Sequence, residues 1–273
     1  MAYRCRRLEE GWRNDHDTSL IMLTISLKDS NRILSLYDQL NLFKEYKAKL
    51  AESVGQEKAN EIVAKSLYIV SAGNNDIAIT YTRLTRRMPF NEYAGLLVDW
   101  TATFAKDLYE LGARHLWVFS ALPLGCMPIG RSLVGGKQCN GIWNEFATEY
   151  NTLLQQNITS FKTATPDYDL QYIDIFNSLN NIVQSYAQLG YESPVNCCGG
   201  KSFGLGELCS ALTGTCKNSS KHVFWDFAHP TQRTYEILVD EMVKKHKKEK
   251  EVVSQNKFSD YFIEICILKV GQR

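Results

Sequence analysis

Apolar residues recur at intervals of three and four along much of the chain, which predicts amphipathic helices that each bury one face. The five stretches with this period are residues 33–50, 93–111, 142–161, 179–189 and 235–242. Gly112 and Gly190 directly follow the second and fourth stretches, where glycine commonly ends a helix.

Short segments between these helices predict strands. Residues 67–70 form a short apolar run, which favours a buried strand, and residues 115–120 and 170–176 are the predicted second and third strands. Strands that alternate with helices predict a parallel sheet with crossover helices on both faces. In such sheets ligands bind at the carboxyl ends of the strands, so we expect functional residues directly after them.

The first candidate segment is Gly73-Asn74-Asn75-Asp76, which follows the strand that ends at Val70. Gly73 lets the backbone turn, and the amide of Asn75 can donate a hydrogen bond to an oxyanion. The alternative is an Asx turn that only leads into the next element.

The second candidate segment is Trp225-Asp226-Phe227-Ala228-His229-Pro230. A carboxylate three residues before a histidine can accept a hydrogen bond from one ring nitrogen and leave the other as a general base. Pro230 suits the first turn of a helix. The alternative is a helix-capping Asp226 beside a surface histidine.

Composition narrows the functional classes. With 31 basic and 30 acidic residues and a net charge of +1, the chain has no broad basic field for nucleic acid or an anionic membrane. No apolar stretch reaches the roughly 18 residues that a spanning helix needs, so we predict no transmembrane segment. No nucleotide, flavin or metal motif is present, and we predict no cofactor and no metal.

Cysteine usage favours disulfides. Six of the eight cysteines lie in one half of the chain: Cys126, Cys139, Cys197, Cys198, Cys209 and Cys216. Their spacing lacks the C-x2-C pairs typical of zinc sites. We therefore predict three disulfides, with Cys126 and Cys139 paired locally and the connectivity of the other four left open.

Signals for localisation disagree. The disulfides and two glycosylation sequons, at Asn157 and Asn218, favour the secretory pathway. The apolar run at residues 19–27 follows two aspartates and ends without a cleavage site, so no signal peptide is recognisable. We expect a secreted protein.

Three segments, SLYIVSAGNNDI, VFSALPLGCMPIG and VFWDFAHPTQRTY, resemble successive blocks of the plant GDSL-type esterase/lipase family within the SGNH hydrolase superfamily. The resemblance implies a three-layer α/β/α sandwich with a flavodoxin-like parallel sheet. It implies carboxylic ester hydrolysis by a Ser-Asp-His mechanism, with lipid or acetylated-glycan esters as substrates. In that mechanism Asn75 donates to the oxyanion, Asp226 orients the histidine, and His229 is the base.

The chain departs from the family pattern at both ends. The Gly-Asp-Ser block with the nucleophile is absent, and so is the second block with its oxyanion glycine. We therefore expect an incomplete hydrolase domain at residues 33–243, with unmatched segments at 1–32 and 244–273. The sheet is expected to lack its usual first strand, and residues 19–27 are the candidate replacement.

No other serine replaces the missing nucleophile convincingly. Ser202 satisfies G-x-S-x-G, but it lies in a glycine-rich loop without the strand before and helix after that a nucleophile elbow needs. With no nucleophile identified, we expect the chain as given to be inactive. Two alternatives remain open: a non-catalytic descendant that binds an acyl ester or glycan, and a truncated gene product.

Overall fold

A computed structural model describes residues 6–7, 35–81, 88–136, 138–199, 209, 213–253 and 264–265. The chain divides into two compact units. Unit 1 comprises Met1–Ser120, Glu149–Ile173 and Asp260–Arg273, and unit 2 comprises Ala121–Thr148 and Asp174–Ser259.

Unit 1 contains the main sheet. Its strands are β1 (Arg6–Arg7), β2 (Leu67–Ser71), β3 (His115–Phe119), β4 (Asp169–Ile173) and β7 (Glu264–Ile265), in the order β1-β7-β2-β3-β4. Strands β2, β3 and β4 are parallel, and Leu67, His115 and Asp169 lie side by side at their amino ends. On the other side of β2, Ile265 of β7 pairs in parallel with Leu67, and β1 pairs antiparallel with β7.

Two helices of unit 1 follow the predicted periodicity with shifted ends, and a third, at Gln56–Lys65, was not predicted. They are α1 (Leu36–Val54), α2 (Gln56–Lys65) and α3 (Phe90–Glu110), and a π-helical turn spans Asp76–Tyr81. Helix α1 begins at a capping box in which Ser35 accepts from the backbone N–H of Asp38 and donates to its carboxylate. The helix buries Leu36, Leu40 and Phe43. Tyr37 also belongs to the apolar residues spaced at three and four, which predicts it on the buried face, but it is 69% exposed.

Helix α5 (Gly141–Ala164) runs from unit 2 into unit 1. Its buried face is formed by Trp143, Ala147, Tyr150, Leu154 and Ile158. The predicted stripe started instead at Ile142, which is 60% exposed. The helical period was therefore predicted correctly, and Tyr150 and Leu154 of the predicted stripe are buried, but its start was displaced by one residue.

Unit 2 contains shorter elements. They are α4 (Pro128–Ser132), α6 (Ile175–Gln184), β5 (Ser193–Asn196), a 3-10 turn (Ser219–Lys221), β6 (His222–Phe224) and α7 (Gln232–Val253), and β5 pairs in parallel with β6. Two predicted boundaries were wrong. Phe176 lies in α6 because Asp174 caps that helix, and Pro230 lies before α7, where it bridges to Phe224.

The predicted class is confirmed at the level of an α/β protein with a parallel sheet of three strands flanked by helices, consistent with the SGNH hydrolase fold. Residues 19–27, our candidate replacement strand, lie outside the described residues. On the side of β2 away from β3, the residue paired with Leu67 is Ile265 of β7. Within the described part of the chain, every helix is too short or too polar to cross a bilayer.

Candidate active site

The Asn75 turn, residues 72–77, follows β2 in unit 1. Gly73 adopts a φ of 92°, a left-handed conformation that side chains disfavour, and its carbonyl accepts from the N–H of Ile77 at 2.9 Å. Asn74 and Asp76 are buried, whereas Asn75 between them is half-buried. The turn thus leaves the predicted oxyanion donor as the accessible one of these three polar side chains.

Tyr150 of α5 restricts position 73 further. A Cβ added to Gly73 would lie 2.9 Å from Cζ of Tyr150, which is too close for a side chain to be accommodated without movement. Tyr150 is buried, and burial raises the pKa of its hydroxyl. This hydroxyl lies 3.5 Å from the carbonyl oxygen of Ala72. Glycine is therefore required by both backbone conformation and packing.

Asp226 and His229 lie together in the second candidate turn, residues 225–230, which we call the His229 turn and which belongs to unit 2. Oδ2 of Asp226 accepts from Nδ1 of His229 at 2.8 Å. Oδ1 accepts from the backbone N–H groups of Ala228 at 2.8 Å and His229 at 2.7 Å. The carboxylate therefore fixes the imidazole through Nδ1 and leaves Nε2 available for proton transfer.

The pair shifts both pKa values in opposite directions. The hydrogen bond from Asp226 raises the pKa of His229, burial opposes this, and the negative charge of Asp226 adds to it. Burial raises the pKa of Asp226, but the hydrogen bond and charge of His229 and the two backbone donors outweigh it, so the net pKa is lowered. The site consequently favours an ionised Asp226 and a histidine that binds a proton more readily than a free one.

Backbone hydrogen bonds close the His229 turn. The N–H of Trp225 donates to the carbonyl of His229 at 2.7 Å, and the N–H of Thr231 donates to the carbonyl of Val223 at 2.9 Å. Asp226 therefore stabilises the turn itself and is not the N-cap of α7, which begins at Gln232.

A buried hydroxyl network supports the same turn. Thr234 donates to the carbonyl of Val223 at 2.8 Å and lies 2.9 Å from the hydroxyl of Tyr191 and 3.1 Å from that of Thr231. We did not predict this network from the sequence. Two threonines three residues apart at a helix start were its only signal, and helix-start threonines are common.

The six clustered cysteines form three disulfides. They are Cys126–Cys139, Cys197–Cys216 and Cys198–Cys209. The first is the predicted local pair, and the other two give the connectivity that the sequence left open. Among the described residues, no group of three potential metal ligands comes together.

The candidate residues are divided between the units. Gly73 and Asn75 belong to unit 1, and Asp226 and His229 belong to unit 2. Ser202, the alternative nucleophile, lies outside the described residues.

Comparisons with known proteins agree with these motifs. The family model described as GDSL-like Lipase/Acylhydrolase matches residues 11–242. The chain belongs to this family. The match begins upstream of residue 33, where we expected the hydrolase domain to start, and ends one residue before its expected end at 243.

Two relatives of this GDSL-family chain are proteins of Arabidopsis thaliana. GDSL esterase/lipase At5g42170 is 40% identical over 216 residues, which cover 78% of this chain and 58% of the relative. GDSL esterase/lipase EXL3 is 38% identical over 219 residues, which cover 78% of this chain and 60% of the relative. The chain thus spans about three-fifths of the length of the curated relatives that it matches.

Proposed function

We propose that this chain carries the acid, the base and one oxyanion donor of a carboxylic ester hydrolase. The observation that carries the proposal is the contact between Asp226 and His229, with Oδ2 2.8 Å from Nδ1. Two backbone N–H groups hold the other carboxylate oxygen. This is the arrangement that keeps a catalytic imidazole in the tautomer that presents Nε2 as a base.

Each residue has one role in the proposed mechanism. Nε2 of His229 takes the proton of a serine hydroxyl as its oxygen attacks the ester carbonyl, and Asp226 stabilises the imidazolium that forms. The Asn75 amide donates to the oxyanion of the tetrahedral intermediate, and Gly73 provides the turn that presents it. His229 then protonates the leaving alcohol, and water hydrolyses the acyl-enzyme with His229 again as base.

The nucleophile is not assigned to a residue of this chain, because its 273 residues contain no Gly-Asp-Ser sequence. We propose that these residues alone do not turn over esters. The same observation favours a second candidate function, the binding of an acyl ester or acetylated glycan without hydrolysis. For either function, the three disulfides support folding in the oxidising secretory pathway.

A chimera tests the hydrolase proposal. The part of GDSL esterase/lipase At5g42170 that precedes its region of similarity is fused ahead of Ser35, which caps α1, and hydrolysis of 4-nitrophenyl acetate is measured. We expect turnover that falls about 10^4- to 10^6-fold on His229→Ala, because the base is lost. Equal turnover by the chimera and its His229→Ala variant would contradict the role of His229.

The unfused chain separates the two candidate functions. We expect it to hydrolyse the ester no faster than its own His229→Ala variant and to resist labelling by a fluorophosphonate. Labelling that is lost in Ser202→Ala would show that Ser202 is a nucleophile after all. An inactive chimera, together with saturable binding of a long-chain ester by the unfused chain, would favour the binding function.

A further inference from the structure

The peptide groups of Trp225 connect the His229 turn to two adjacent cysteines. The N–H of Trp225 donates to the carbonyl of His229 at 2.7 Å, within the turn. Its carbonyl accepts from the N–H of Cys198 at 2.6 Å and also from the N–H of Cys197 at 3.1 Å, a donor that it shares with the carbonyl of Phe224 at 3.0 Å. Trp225 directly precedes Asp226, so these hydrogen bonds fix the position of the backbone that carries the carboxylate of Asp226.

Both cysteines are buried and cross-linked. Cys197 is bonded to Cys216 and Cys198 to Cys209, so this dipeptide is tied to two positions of the following loop. A further backbone hydrogen bond, from Cys216 to Cys197 at 2.8 Å, reinforces the first link. The two N–H donors that hold Trp225 therefore lie on a backbone segment that is fixed covalently on both residues.

We infer that the Cys197–Cys216 and Cys198–Cys209 disulfides are positioning elements of the Asp226–His229 pair. The two disulfides hold the N–H groups of Cys197 and Cys198 in place, and these N–H groups hold the carbonyl of Trp225. The turn that follows Trp225 then places the carboxylate of Asp226 against Nδ1 of His229. The inference rests on the proposed role of His229 as the base. The inference adds to that proposal, because it makes the contact between Asp226 and His229 depend on two disulfides that form no hydrogen bond with either side chain.

The third disulfide offers a matched control. Cys126–Cys139 closes a loop of 13 residues and Cys198–Cys209 one of 11, so their removal is expected to cost similar chain entropy. The hydrogen bonds of Cys126 run to Pro123, Asn144 and Gln184. Its neighbour Ile129 donates to the carbonyl of Phe227 at 3.0 Å, a contact with the His229 turn that does not involve Trp225. A general loss of stability would therefore affect both variants alike.

The experiment measures the pKa of His229 by NMR titration of the full 273-residue chain with labelled histidine. In the wild type, Asp226 raises this pKa. We expect Cys198→Ser/Cys209→Ser to lower it by about 0.5 to 1, a three- to tenfold weaker hold on the proton, because the contact with Asp226 loosens. Cys126→Ser/Cys139→Ser should leave it within about 0.2 of the wild type.

Three outcomes would overturn the inference. The first is an unchanged pKa in folded Cys198→Ser/Cys209→Ser, and the second is an equal fall in the control. If Cys198→Ser/Cys209→Ser does not fold, Cys197→Ser/Cys216→Ser is titrated in its place. Failure of both to fold while the control folds is the third, because the cystines would then be needed for the whole unit. The titration needs no turnover, so an inactive chimera would count against the proposed function and not against this inference.

Discussion

The Asn75 turn and the His229 turn both present a polar side chain next to a strand, but different forces hold them. In the Asn75 turn, Gly73 takes a φ of 92° directly against the ring of Tyr150, so shape and packing fix the backbone. In the His229 turn, hydrogen bonds of Trp225 and Thr231 and two nearby disulfides fix it.

This difference determines what each turn tolerates. A turn fixed by packing does not accept added atoms, but its geometry does not depend on protonation or on disulfides. A turn fixed by hydrogen bonds and cross-links tolerates small changes in side-chain volume, but its geometry depends on protonation and on the disulfides. Four variants test this contrast.

The largest effect is expected from Cys197→Ser/Cys216→Ser. Opening this 19-residue loop should lower the free energy of unfolding by about 3 kcal/mol, measured by chemical denaturation. Hydrogen exchange should accelerate in β5, in β6 and in the His229 turn. The amides of β2, β3 and β4 should exchange as in the wild type under native conditions, and equal acceleration there would contradict the contrast.

Gly73→Ala should destabilise the Asn75 turn and lower the free energy of unfolding by about 2 to 3 kcal/mol. The new Cβ is strained at this φ and meets the ring of Tyr150, as a built Cβ 2.9 Å from Cζ shows. Gly135→Ala is the control, because Gly135 has a φ of 80° but nothing within 4 Å of a built Cβ. Thermal unfolding should show the larger loss for Gly73→Ala, and equal losses would remove packing as the cause.

Thr234→Val should cost about 1 to 2 kcal/mol in denaturant unfolding. The buried hydroxyl of Thr234 is lost, and that of Tyr191 then lacks the partner that it has at 2.9 Å. Thr103→Val provides the comparison, since the exposed Thr103 only donates to the carbonyl of Asp99 in its own helix. A loss as small as that of Thr103→Val would mean that the network does not stabilise the His229 turn.

The smallest expected effect is a pH dependence of the free energy of unfolding, which arises from Asp226 and His229. The raised pKa of His229 stabilises the fold below about pH 6.5, and this stabilisation is lost as pH rises through the folded value. The lowered pKa of Asp226 stabilises it above about pH 4, and this is lost as pH falls through the folded value.

The free energies of unfolding of the wild type and Asp226→Asn should therefore differ most between about pH 4 and 6.5. Because the side chain of His229 is 43% exposed, the difference should stay below about 1 kcal/mol. Urea unfolding at a series of pH values measures it. A difference that is constant from pH 3 to pH 9 would show that the ion pair contributes nothing.

Strands were predicted more accurately than helix faces. The three predicted strands gave β2, β3 and β4 to within a few residues. Strands β2 and β3 bury most of their residues and so stand out as apolar segments, whereas β4 buries only Leu170. The faces of α1 and α5 were displaced at Tyr37 and Ile142, each next to a residue that is in fact buried. Where two apolar residues are adjacent, hydropathy does not indicate which of them faces the core.

The sequence by itself determined the family, the α/β class and the identity of the candidate acid, base and oxyanion donor. These follow from local patterns, because a run of apolar residues or an Asp three residues before a His is visible along the chain. The tertiary structure decided the pairing of Cys197 and Cys198, the packing of Tyr150 on Gly73, and the hydroxyl network around Thr234. Each depends on which of several possible partners meet when the backbone folds, and spacing along the chain does not encode that choice.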